Sequence, residues 1–231
     1  MIIKSSKIFN NKIFKLSDNL NYETIDTKLE KITIIENFYE DIDLVLSELN
    51  KLPITLTYEY LENNITFFDG RKCYMENMKG TEIPYTEHLI KLVSKIIKYP
   101  SEFINIQENI LINCFRYTDK MKYNLDEYYY SIHRDPINGY YGQKKQVAIV
   151  LFLNKHYNDG EGLNFYMPFN LSEKKKDNFV YKKDVEINYF VQAKCNRAVL
   201  FDSSLLHGQH TPTHQFKSEM RYTQVIFCPL S

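Results

Sequence analysis

His133, Asp135 and His207 are the residues of this chain best suited to hold one metal ion between them. Two imidazoles and a carboxylate are the donors that grip divalent iron by one face and leave other positions open. In extended backbone, side chains i and i+2 point the same way. If 131–135 is extended, His133 and Asp135 aim at one point and Arg134 aims away. A histidine from a distant strand then closes the triangle. Arg221 follows His207 by fourteen residues, and Thr223 lies two residues further on. On a strand the two share a face, a planar guanidinium fork beside a hydroxyl.

Together these groups suggest a division of labour. The open face of the ion can take a bidentate 2-oxo acid and then O2. A dicarboxylate such as 2-oxoglutarate also needs its distal carboxylate held. A buried arginine does this with two parallel hydrogen bonds, and a neighbouring hydroxyl adds a third.

An isolated His-x-Asp is a weak signal, because a surface His-Asp pair explains most of them. Here it ends an expected strand, is followed by Pro136 and the turn Asn138-Gly139, and belongs to an ordered set of His, Asp, His and Arg-x-Thr. His210 and His214 compete with His207, since all three lie in HGQHTPTH, which also reads as a surface loop. His207 is favoured because it directly follows an apolar strand and the segment 202–206. His88, beside a helical stripe, and His156, in a turn, read as structural. Arg221 has a plainer reading too, as a strand-edge cation paired with Glu219.

The elements that must position these groups change character along the chain. Ile42, Val45, Leu46 and Leu49 recur at helical spacing until Leu52-Pro53. A second helix is expected over 86–98, with Leu89, Leu92, Val93, Ile96 and Ile97 as its stripe, Thr86 as N-cap and Pro100 beyond its end. Short strands are expected within 1–35, one of them around 31–35. Strands are expected over 109–117, 127–134, 146–154, 163–169, 185–193, 197–202 and 221–228. The run 147–153 is apolar throughout, so that strand is expected to be covered on both faces. The pattern is α+β, mainly β: a jelly-roll-type double sheet with N-terminal helices packed outside it. It divides into an extension over 1–104 and a core over 105–231. The charged stretch 172–184 reads as a solvated hairpin, with a mobile loop over the site as the alternative.

Composition narrows the class. The 231 residues are 44% hydrophobic, enough for a sizeable core, with 19 Tyr and 15 Phe supplying the aromatic packing in the absence of Trp. Lys plus Arg equals Asp plus Glu at 29 each, which counts against a nucleic-acid partner. Cys73, Cys114, Cys195 and Cys228 form no C-x-x-C pair, so reduced, mostly buried thiols are expected. No leader-like or membrane-length apolar run is evident. A cytoplasmic protein is expected, in a compartment that also suits ferrous iron.

The ordered His133-x-Asp135 … His207 … Arg221-x-Thr223 resembles the Fe(II)/2-oxoglutarate-dependent oxygenase superfamily. Several passages resemble, within it, a group of uncharacterised bacterial and viral domains related to prolyl-hydroxylase-like enzymes. These are Ile35-Glu36-Asn37-Phe38-Tyr39, Phe68-Asp69-Gly70-Arg71, the strand 150–154 followed by Asp159-Gly160-Glu161-Gly162, and Arg221-Tyr222-Thr223-Gln224-Val225. The resemblance runs from about Ile32 to the C-terminus. It implies a double-stranded β-helix core, with Fe(II), 2-oxoglutarate and O2 as cofactors and ascorbate as a candidate reductant. The implied reaction is hydroxylation coupled to formation of succinate and CO2. A Gly-Gly-x-Thr-like phrase of the family is replaced here by Gly160-Glu161-Gly162-Leu163, which bears on local pocket shape. Related halogenases lack the carboxylate, so Asp135 implies an alcohol product.

Strand alternation puts Tyr129 and Ser131 on the face of His133, making Tyr129 a candidate substrate contact; Tyr128 and Tyr130 point the other way. Tyr117 resembles a co-substrate-binding tyrosine of prolyl-hydroxylase-like relatives, and reads equally as structural. The substrate class stays open among peptidyl side chains, amino acids and small metabolites. Nucleic-acid demethylation is disfavoured, because a second arginine six residues after Arg221 would be required and Phe227 stands there. Two other classes remain: a jelly-roll binding protein that keeps the motif without activity, and a cupin-like metal enzyme, for which the Gly-rich, histidine-rich motif pair is missing.

Overall fold

The computed structural model describes residues 13–50, 55–61, 64–71, 84–106, 111–117, 132–135, 145–169, 185–210, 212–213, 215 and 221–231, with backbone alone at 49–50, 55–61, 64–71, 84–85 and 111–117. The expected strand over 127–134, apart from its last three residues, lies outside them, as do Tyr129, His214, Glu219 and the 172–184 segment.

The architecture is mainly β, with two helices among the described residues. Eight strands form one antiparallel sheet: β1 (Asn21–Asp26), β2 (Lys31–Glu36), β3 (Thr55–Leu61), β4 (Asn64–Arg71), β5 (Leu111–Tyr117), β6 (Lys145–Phe152), β9 (Arg197–Asp202) and β11 (Arg221–Leu230). Their spatial order is β1-β2-β9-β6-β11-β5-β4-β3. The strands β7 (Gly162–Pro168), β8 (Val185–Gln192) and β10 (His207–His210) form a smaller sheet in the order β10-β7-β8. The sheets pack face to face as in a β-sandwich.

The all-apolar β6 shows why sequence pattern and architecture agree. Val147, Ile149 and Leu151 point to one face, where Ala198, Leu200, Ile226 and Cys228 join the helices α1 (Ile42–Asn50) and α2 (Pro84–Ile97) through Val45, Leu46, Leu89 and Val93. Ala148, Val150 and Phe152 point to the other, where Val199 and Phe201 meet Leu163, Phe165 and Val191 of the small sheet. A strand sandwiched this way needs apolar side chains at every position. Truncating a buried side chain such as Leu151 to alanine would cost about 2–5 kcal/mol.

Helix α1 is capped by Asp41, whose Oδ1 accepts from Leu44 N–H at 2.9 Å. Helix α2 starts at Pro84, two residues before the expected cap. Thr86 is therefore buried inside the first turn, and proline's fixed φ and missing N–H suit the opening position. The strands of the N-terminal half are built into the large sheet, β2 pairing with β9 and β4 with β5. Among the described residues no helix is long and apolar enough to cross a membrane.

Candidate metal centre

His133 stands in no regular strand. It forms an isolated antiparallel bridge with His207, each backbone N–H donating to the other's carbonyl at 2.9 Å. Asp135 N–H donates to Ser203 O at 3.0 Å, and Arg134 Nε donates to Ser204 O at 3.0 Å. These contacts zip 133–135 against the stretch that leads into β10. The expected alternation survives without a ladder: Arg134 is tied outward, and its two neighbours converge.

His207 opens β10, whereas sequence pattern placed it in a connection after a strand. The tetrapeptide HGQH has no strand-like composition. It is extended because its backbone pairs with β7, His207 opposite Phe165 and His210 opposite Gly162. The pairing also separates the competing histidines. The His207 ring lies against Phe201 and Phe165 between the sheets, at centroid distances of 4.7 and 6.4 Å. His210 instead contacts Phe190, at 5.7 Å.

One donor atom from each of His133, Asp135 and His207 falls within 4.8 Å of the others. Asp135 Oδ1 is 3.7 Å from His133 Nε2, and Asp135 Oδ2 is 3.5 Å from His207 Nε2. Oδ2 is buried and accepts no hydrogen bond. A buried carboxyl group whose two oxygens each face an imidazole nitrogen, one of them with no hydrogen bond, is a costly arrangement unless a cation completes it.

The protonation states favour that reading. His207 Nδ1 lies 2.9 Å from Leu205 O. A carbonyl can only accept, so Nδ1 carries the proton and Nε2 offers its lone pair. Burial lowers the His207 pKa to about 4, partly offset by the Leu205 carbonyl, so the ring is neutral near pH 7. Burial raises the Asp135 pKa to about 6, partly offset by His133. The residues present therefore fit a divalent transition metal: two imidazoles and a carboxylate in a largely buried, converging set.

Arg221 and Thr223 open β11 on its inner face, with Thr223 opposite Phe152 of β6. Both are buried, and Thr223 Oγ1 has no hydrogen-bond partner. Arg221 Nη1 donates to Gln209 Oε1. Gln209 is two residues after His207 on β10, so the two share a face, and its carboxamide links the His207 strand to the guanidinium. Sequence reading passed over Gln209; the i+2 relation to His207 becomes a signal only once β10 is known to be a strand. Tyr157 was also passed over. Its hydroxyl accepts from Asn154 N–H at 3.0 Å, its ring packs on Phe152, and Arg221 lies near enough to offset part of the upward pKa shift that burial imposes.

Tyr117 ends β5, with its backbone paired to Phe68, and its side chain is outside the described residues. The Gly160-Glu161-Gly162 phrase is a latch. Gly160 has φ +87°, and a Cβ at Gly162 would lie 2.1 Å from Val191 O. Between them Glu161 is buried, and its Oε1 accepts from Thr213 Oγ1 at 2.5 Å and Thr213 N–H at 3.2 Å. Gln215 adds a contact, its Oε1 accepting from Asn158 N–H at 2.9 Å. Thr213 and Gln215, which follow β10, are thus tied to the turn before β7.

No protein-family model and no curated protein matches this chain. Similar solved structures include an oxidoreductase of the 2OG-Fe(II) oxygenase family from Burkholderia pseudomallei, at TM-score 0.43 and 12% identity, covering 80% of this chain and 78% of that one. Another is EvdO2 from Micromonospora carbonacea var. aurantiaca, complexed with 2-oxoglutarate, at 0.44 and 8%, covering 87% and 86%. A Pseudomonas putida prolyl-4-hydroxylase scores 0.37 at 10% identity, covering 92% and 94%. At such low scores and identities, function has to be read from this chain's own side chains.

Proposed function

We propose that this protein is an Fe(II)- and 2-oxoglutarate-dependent dioxygenase built on a double-stranded β-helix. Its substrate would be a peptidyl side chain, an amino acid or a small metabolite. The observation that carries the reading is the convergence of His133, Asp135 and His207 donor atoms within 4.8 Å. These three residues would hold the iron. Arg221 would take the distal carboxylate of 2-oxoglutarate, with Thr223 Oγ1 beside it as a further donor. With iron and 2-oxoglutarate bound, O2 would be the oxidant: one oxygen atom would go to the substrate and the other to succinate as 2-oxoglutarate loses CO2.

The chain's own contribution is electrostatic and positional. His207 stays neutral because burial opposes its charging and Leu205 fixes its tautomer. Asp135 brings the charge that the ion needs. Phe165 and Phe201 keep the side of the site beneath His207 apolar, which strengthens the charge interactions there. Arg221, buried on a rigid strand, needs little reorganisation to receive a carboxylate.

The test is succinate formation by purified protein with ferrous iron and 2-oxoglutarate, against peptides, free amino acids and small metabolites, with His207→Ala as the control. Iron-dependent succinate that the control abolishes supports the reading. Metal binding without 2-oxoglutarate binding or turnover would overturn it, in favour of a metal-holding β protein of another kind.

A further inference from the structure

Resting on the co-substrate reading above, we propose that Gln209 is a positioning and specificity-determining residue of the 2-oxo acid pocket. Its neutral carboxamide orients Arg221 without consuming the guanidinium's charge. Three observations converge on it. It shares a strand face with the metal-ligating candidate His207, two residues away on β10. Its Oε1 accepts from Arg221 Nη1. The guanidinium it holds is buried, on the inner face of β11 beside Thr223 Oγ1, a hydroxyl with no hydrogen-bond partner.

The chemistry follows from what each side chain can exchange. A guanidinium is a planar fork of five N–H donors, and its plane must be set before two of them can meet both oxygens of a carboxylate. One bond to a carbonyl oxygen sets the plane. A glutamine does this with a dipole and adds no negative charge beside Arg221. A glutamate of the same shape would also hold the plane, but its charge would neutralise Arg221 and repel an arriving carboxylate. The proposed selectivity thus rests on the neutrality of position 209, and the ligand class it serves is a dianionic 2-oxo acid with a distal carboxylate.

The test compares wild type, Gln209→Glu, Gln209→Met and Arg221→Ala, each loaded anaerobically with Fe(II) and titrated with 2-oxoglutarate. Binding is followed by calorimetry and by the visible metal-to-ligand charge-transfer band. Melting temperature and Fe(II) affinity are measured in parallel. Wild type should bind 2-oxoglutarate, and Arg221→Ala should weaken it strongly. Gln209→Glu should weaken it by more than about tenfold, a change of roughly one charge-assisted hydrogen bond. Its Fe(II) affinity should be kept and its melting temperature held or raised by the new ion pair. Gln209→Met, neutral and similar in length, should weaken binding less than Gln209→Glu does.

If Gln209→Glu binds 2-oxoglutarate as wild type does, while Arg221→Ala does not, the Gln209 proposal fails and the co-substrate reading stands. If Gln209→Met loses as much as Gln209→Glu, neutrality is not the selective property and the proposal also fails. If wild type binds no 2-oxoglutarate, or Arg221→Ala binds it equally well, the underlying reading fails and the proposal falls with it.

Discussion

The backbones of His133 and His207 hold each other: each N–H donates to the other's carbonyl, both at 2.9 Å. Two residues far apart in sequence are thereby fixed side by side, with ring centroids 4.4 Å apart. Because main-chain groups make the bridge, it survives changes to either side chain. Ligand variants should therefore report on metal binding with the fold retained. His133→Ala and His207→Ala are expected to lose Fe(II) affinity by more than about 100-fold, beyond the range seen when only a supporting contact is removed. His210→Ala should change little, since its ring meets Phe190 instead of the other ligands. Anaerobic Fe(II) or Co(II) titration with circular dichroism checks both; loss of binding in His210→Ala alone would reassign the third ligand.

Metal binding should release a proton in mildly acidic solution. Burial holds the Asp135 carboxyl protonated up to about pH 6, while His207 is already neutral above about pH 4. Between those values a metal ion displaces the Asp135 proton. Apparent affinity is expected to fall as pH drops below about 6, by up to about tenfold per pH unit. Calorimetry at pH 5.5 in buffers of differing ionisation enthalpy measures the proton count. No proton release there would contradict the assignment of Asp135 as a ligand.

The metal-free protein should show a masked pH dependence. Asp135 has a folded pKa raised from 3.8 to about 6, so its contribution to stability is lost as pH rises through that window. His207 has a folded pKa lowered from 6.5 to about 4, so its contribution is lost as pH falls through that window. The windows overlap and the slopes oppose, so the wild type should be nearly flat in this respect between about pH 4 and 6. In Asp135→Asn only the histidine slope remains, and stability should rise with pH across that range by about 1–3 kcal/mol. Urea melts of the metal-free proteins at several pH values decide this; parallel wild-type and variant curves would mean that the two groups do not titrate as described.

What could be read in the sequence was what short-range pattern encodes. The stripe of α2 and the continuous apolar run of β6 depend on local periodicity, and both elements form. The donor types and their order also stand in the text of the chain. Long-range backbone pairing does not. HGQH is a strand only because β7 lies beside it, and that pairing makes Gln209 a neighbour of His207 and puts His210 against Phe190. The incorporation of β1 to β4 into the large sheet is likewise set by partners distant in sequence. Thr86 reads as a cap from residue preference alone, but Pro84 is an equally good opening and the helix begins there.

Arg221 should matter for the co-substrate and not for the metal. Truncating Arg221 removes one side of a charge-assisted pair and leaves a ligand carboxylate facing a buried, unpaired position, a loss of about 2–5 kcal/mol. Arg221→Lys keeps the charge but not the planar fork, and should recover only part of it. Competition binding with 2-oxoglutarate measures both. An Arg221→Ala protein that binds 2-oxoglutarate like wild type would remove the distal carboxylate from this site.

The Glu161 latch should contribute to stability and to the local order of Thr213 and Gln215. Its Oε1 takes two hydrogen bonds from Thr213, and Thr213 lies eight residues before Arg221. Glu161→Leu deletes both while filling the same buried space. Glu161 Oε2 is buried and accepts no hydrogen bond, so part of the loss is offset by relief of an unsatisfied polar atom. A net destabilisation of about 1–2 kcal/mol is expected. The more specific sign is local: the backbone amides of Thr213 and Gln215 should exchange faster in Glu161→Leu while those of β6 keep their protection, because the latch holds these residues near the surface and β6 is sealed on both faces. Fe(II) affinity should be unchanged, since none of the three donors touches the latch. Uniformly faster exchange across both regions would mean that Glu161 supports the whole fold and not Thr213 and Gln215 alone.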